Sequence, residues 1–288
     1  MDAADAFRTY LEHLTAADLR LLAGVAGVAP GVLQTRPAHL VDLLGTPATE
    51  AAVLGPSTDE EPFLRASSFL TFAVAVHRSA ARLERATSTL EWVGPRQRLP
   101  VFDVASLRDF LADPLRRLFL VELLASFTSV ASGSTWERTR RGWRRRRFSE
   151  LDPVRLASLL EVVGEAERPG VYRRLGDLAL FLTGVFPDHT AERGLGSVDA
   201  SRLVRLVAAA GDGRQGPPPD VDHLGAVGLL EHLGARWYRS AAATAAGPPT
   251  ATVRVLPAAG ERFRQARRIL NVVSESTIFP LPPAFGPG

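Results

Sequence analysis

The 288-residue sequence predicts an all-α fold, a multi-helix array with a small N-terminal helical bundle and a short β-hairpin or ribbon insertion. Three observations carry this expectation. Apolar residues recur at three- and four-residue intervals through most of the chain; in 2–14, Ala6, Phe7, Tyr10, Leu11 and Leu14 fall on one helical stripe. Helix-start residues precede these stretches, as with Thr15 and Asp18, Asp113-Pro114, and Asp152-Pro153. Finally, 89–102 (TLEWVGPRQRLPVF) breaks the helical period with two β-like runs around Gly94-Pro95, and Pro100 confines the second run to an edge.

In chain order, 2–14 is the first helix. Thr15 opens the second as an N-cap, with Asp18 placed to complete a capping box. Pro37 starts a third that stops at Gly45, and Thr46 caps a fourth that ends at Gly55. These form the acidic bundle, 1–60, and 55–62 is its exit linker. The larger helical domain is expected over 61–278, followed by a Pro-rich tail, 279–288. Within it, 61–86 is a long helix buried in its first half, and 114–131 is apolar nearly all round, the mark of a central core helix. Helices are expected over 149–163, 168–188 and 197–211, with a loop at 211–220. The Ala- and Gly-rich stretch 221–247 suits close helix–helix approach. Residues 250–257 (TATVRVLP) read as a short strand paired with the 89–102 ribbon, and a final amphipathic helix follows.

Composition excludes several chemistries. The chain has no cysteine, which removes disulfides, thiolate nucleophiles and cysteine-based metal sites. It also has no lysine, which removes Schiff-base and P-loop lysines. The acidic start, MDAADAF, is unlike a signal peptide, and no apolar stretch is long enough to span a bilayer, so a cytoplasmic protein with no membrane partner is expected. No G-x-S-x-G, G-x-G-x-x-G or Walker motif is present. The histidines near Asp188 and Asp222 lack metal-ligand spacing, so no metal, no cofactor and no catalytic residue is assigned.

Charge is unevenly placed. Residues 1–62 hold nine acids against three arginines, whereas 138–147 hold seven arginines and no acid. The stretch 135–148 (TWERTRRGWRRRRF) is the strongest functional signal: Arg138, Arg140, Arg141, Arg144, Arg145, Arg146 and Arg147, with Trp136 and Trp143 threaded among them. Guanidinium groups recognise phosphates and carboxylates, and both Arg and Trp stack on bases. Read as a helix, the stretch puts Arg140, Arg144 and Arg147 on one face, and Arg138, Arg141 and Arg145 on another. The function expected is therefore a non-catalytic adaptor or regulatory protein that contacts an anionic partner: a nucleic acid, a phosphorylated ligand or an acidic protein. The competing reading is a basic segment that pairs with the molecule's own acids. A second candidate site joins Glu122 and Asp177, two acids in apolar helices, with Arg173 and Arg174 in a buried polar pocket; an enzyme or small-ligand sensor is the function it would serve. Its plainer reading is a pair of structural ion pairs. Self-association, acid to base, is the third alternative.

Overall fold

The computed structural model describes residues 2–55, 66–128, 132–139, 142–149, 151–193, 195–210, 221–245 and 250–279. The linker expected at 55–62, the loop at 211–220 and nearly all of the tail lie outside them. The fold is all-α with β-hairpin insertions. Among the described residues no helix is long and apolar enough to cross a membrane. The chain divides into two compact units.

The first unit takes Met1–Val93, Gln97–Thr128 and Gln265–Gly288. It opens with α1 (Asp2–His13), α2 (Ala16–Ala26), α3 (Pro30–Thr35), α4 (Pro37–Leu44) and α5 (Pro47–Leu54). Their starts follow the local signals: Thr15 and Asp18 form the full capping box, and Thr46 accepts from the Thr49 amide. The short α3 is an addition to the four helices expected. Asp18 does more than cap. Its carboxylate takes the Thr15 amide and hydroxyl, each at 2.8 Å, on one oxygen and the Ser67 amide, at 2.9 Å, on the other. It therefore ties α2 to the start of α6 (Ser68–Leu83), which Ser67 caps. Then come β1 (Thr89–Gly94), β2 (Gln97–Val101), α7 (Val104–Ala112) and α8 (Pro114–Ser126), with Asp113 capping α8 as its sequence predicts. The core forms where α6 meets α8. Leu70, Val74 and Val76 from one helix and Leu118, Phe119, Leu120 and Val121 from the other are sealed from solvent.

The β1–β2 hairpin is turned inside out. Thr89 and Glu91 are buried, while Leu90, Leu99 and Phe102 are exposed, Phe102 by 77 %. The cause is α15 (Phe263–Val273), which lies beneath the hairpin and offers two buried guanidiniums. Arg267 Nη2 donates to Glu91 Oε1 at 3.1 Å, and Arg268 Nη1 donates to Asp103 at 3.1 Å. Beyond α15, a π-helical turn (Ser274–Ile278) supplies Glu275, which accepts from Arg98 Nε at 2.6 Å. Buried charge must find buried countercharge, so the polar positions of the hairpin face inward.

The second unit takes Gly94–Arg96 and Ser129–Arg264. Its strands are β3 (Ser132–Thr139) and β4 (Gly142–Ser149). Its helices are α9 (Pro153–Ala157), which passes into a 3₁₀ turn, then α10 (Arg168–Val185), α11 (Pro187–Arg193), α12 (Ser197–Ala210), α13 (Val221–Thr244) and α14 (Ala251–Glu261). Helices α10, α13 and α14 form its centre. Glycine sets their spacing: a Cβ on Gly176 would stand 2.6 Å from the Tyr238 ring, and one on Gly234 would stand 2.5 Å from Phe263. Close approach of the Gly-rich helix is thus realised, although α13 is also kinked at Gly225, where φ is 60°.

Residues 250–257 are helical, not the strand their β-branched composition predicts. Thr250 accepts from the Val253 amide and starts α14, and Val255, Leu256 and Ala259 are buried. Those positions fall on one face at helical spacing, not on alternate faces, so packing overrides the local preference.

Candidate functional site

The arginine-rich stretch is a β-ribbon, not a helix. Strands β3 and β4 pair antiparallel, with Thr139 opposite Gly142. A helix would have stacked Arg140 on Arg144 and Arg141 on Arg145 at the four-residue spacing, where like charges repel. A strand sends successive positions to opposite sides, and Thr135, Trp136, Thr139, Trp143 and Phe148 are all strand-favouring types. The helical grouping of the arginines is accordingly replaced by the ladder register.

That register sets Ser134 opposite Arg147, Trp136 opposite Arg145 and Arg138 opposite Trp143. Alternation assigns these six positions to one side of the ladder, and none of them is acidic. The other side takes Thr135 opposite Arg146 and Glu137 opposite Arg144. Arg140 and Arg141 lie outside the described residues.

The four residues of the second sequence-derived cluster are each held within their own unit. Glu122, on α8 in the first unit, has Oε1 3.2 Å from His13 Nε2, and the His13 ring stacks on Phe69 at 4.7 Å. Asp177, on α10 in the second unit, accepts from the buried Tyr238 hydroxyl at 2.9 Å; Arg173 Nε stands 3.7 Å from its other oxygen. Burial first, and then the Asp177 charge, push the Tyr238 phenol well above the ordinary tyrosine range; Arg173 and Arg174 pull it the other way. Tyr238 therefore stays protonated and acts as a donor.

A cavity of about 720 Å³ lies in the first unit, in a place the sequence does not announce. Its walls come from the α4–α5 turn, the C-terminal half of α6, the end of α7 and the start of α8. Arg78, Arg82 and Arg85 reach it from α6 and its continuation, and Arg117 from α8. His77 also lines it and shares a 2.9 Å hydrogen bond with the fully buried Tyr10. Burial, reinforced by the Arg117 guanidinium, brings the His77 pKa down to about 3, so the ring is neutral at pH 7.

Comparison with known proteins leaves the geometry to speak for itself. No family model, no curated protein and no solved structure matches the chain.

Sequence reasoning missed the cavity and the Glu91 clamp for different reasons. The spacing of Arg78, Arg82 and Arg85 at i, i+4 and i+7 is visible in "HRSAARLER" and marks a basic helix face. Nothing local connects Glu91 with Arg267, 176 residues later.

Proposed function

We propose that the protein is a non-catalytic binding protein that grips an anionic macromolecule through the β3–β4 ribbon, with single-stranded nucleic acid the partner its chemistry fits best. One observation carries the reading: on one side of the ladder, Trp136 and Trp143 alternate diagonally with Arg138 and Arg145, and Arg147 extends the row. Rings offer stacking platforms to unpaired bases, and guanidiniums offer forked donors to the phosphates between them. An acidic protein surface would engage the arginines but leave the tryptophans without a base to stack on.

Fluorescence anisotropy with a labelled single-stranded oligonucleotide tests this. Replacing both Trp136 and Trp143 with Ala is expected to weaken binding by about 1–3 kcal/mol for each stacked base. Equal affinity for the oligonucleotide and for polyglutamate, unchanged by the tryptophan substitutions, would instead identify an acidic protein as the partner class.

A further inference from the structure

We propose that the cavity of the first unit is a binding site for a small phosphomonoester with an apolar body, separate from the ribbon and independent of its proposed role. The cavity, at about 720 Å³, lies within the range that holds small organic ligands. Val41, Pro47, Ala80, Ala81 and Leu111 supply its apolar lining.

The charges that line the cavity are of two kinds. Glu50 holds Arg78 and Arg82 side by side: Arg78 Nε donates to Glu50 Oε2 at 2.8 Å, and Arg82 Nη2 donates to the other oxygen. Arg78 Nη1 is further anchored on the Gly45 carbonyl at 2.8 Å. One carboxylate against two guanidiniums fixes both arginines and leaves the trio with one net positive charge. Arg85 and Arg117 have no carboxylate partner among the described residues, and the buried Arg117 Nε has no hydrogen-bond partner there. A buried N–H left unpaired is costly, which makes Arg117 receptive to an acceptor brought by a ligand.

Two guanidiniums with no carboxylate partner among the described residues suit a ligand carrying close to two negative charges. A phosphomonoester does so at pH 7, with three acceptor oxygens, and a single carboxylate does not. Asp42 and Glu84 also line the cavity, but both are exposed, where water and salt screen them. The neutral His77 adds no charge to the site.

The test is isothermal titration calorimetry of the full chain with phenyl phosphate, benzoate and inorganic phosphate. Saturable one-site binding of phenyl phosphate is expected, tighter than either of the others by about tenfold or more. Arg117→Gln and Arg85→Gln are each expected to weaken it by about tenfold, the loss of one charge-assisted contact. Arg85 is exposed, so Arg85→Gln should leave thermal unfolding unchanged and separates lost binding from lost folding. Replacing Arg144–Arg147 with Glu should leave phenyl phosphate binding intact. The proposal is overturned if phenyl phosphate does not bind saturably. It is equally overturned if benzoate binds as well, if Arg85→Gln and Arg117→Gln change nothing, or if the ribbon substitutions abolish binding.

Discussion

The Tyr10 hydroxyl and His77 Nε2 lie 2.9 Å apart, with both side chains sealed in the core of the first unit. The pair joins α1 to α6 and gives that core one polar joint. It also makes the unit sensitive to acid. The folded-state pKa of His77, about 3, is below the unfolded value near 6.5, so the unfolded chain takes up the proton first. The contribution to stability is therefore complete above about pH 6.5 and is lost as the pH falls towards 3, at roughly 1.4 kcal/mol per pH unit. Urea unfolding of the wild type and of His77→Gln across pH 7 to 4 checks this. The variant is expected to show a slope shallower by close to one proton. Equal slopes would mean that His77 is already protonated in the native state.

Glu91 is the hinge of the inverted hairpin. Its carboxylate faces Arg267 at 3.1 Å and Arg268 at 3.6 Å, and all three side chains are buried. Removing one member of a buried ion pair leaves uncompensated charge, so Glu91→Ala is expected to cost about 3–5 kcal/mol. Glu91→Asp, which keeps the charge but shortens the reach, should recover part of that loss. Chemical denaturation of the three proteins measures it.

Gly176 and Tyr238 make one of the close approaches in the second unit. A methyl at Gly176 would meet the ring at 2.6 Å, and the ring is held in place by its hydroxyl bond to Asp177. Gly176→Ala is therefore expected to destabilise by about 1–3 kcal/mol, although alanine ordinarily favours a helix. Combining it with Tyr238→Phe, which frees the ring to shift, should cost less than the sum of the two changes. Thermal unfolding of the four proteins completes the cycle.

What the sequence discloses follows the range of the interactions involved. Thr15 with Asp18, Asp113 with Pro114 and Asp152 with Pro153 announce helix starts because cap and amide lie two or three residues apart. The burial of Leu115, Leu118 to Val121, Leu123 and Leu124 is equally legible, since a helix so rich in apolar residues has few other places to go. The ribbon at 132–149 and the helix at 251–261 are not legible. In the ribbon, strand-favouring Thr, Trp and Phe alternate with arginines whose spacing also fits helical faces, and the pairing of β3 with β4 decides; in 251–261 the β-branched composition favours a strand and packing decides for the helix. The hairpin orientation is the clearest case: Leu90 is exposed while Thr89 and Glu91 are buried against Arg267 and Arg268. Of the candidate site, sequence supplies the residues of the ribbon, and the register Trp136–Arg145 and Arg138–Trp143 supplies their arrangement.

The claim that the ribbon grips a polyanion is tested most directly by the salt dependence of oligonucleotide binding. If the three arginines of the tryptophan-bearing side, Arg138, Arg145 and Arg147, each neutralise a phosphate, the logarithm of the affinity for a single strand falls against the logarithm of salt concentration with a slope of about −2. Arg144→Glu, Arg145→Glu, Arg146→Glu and Arg147→Glu together are expected to abolish binding at physiological salt. Binding that ignores salt, or that survives this fourfold reversal, would contradict the account.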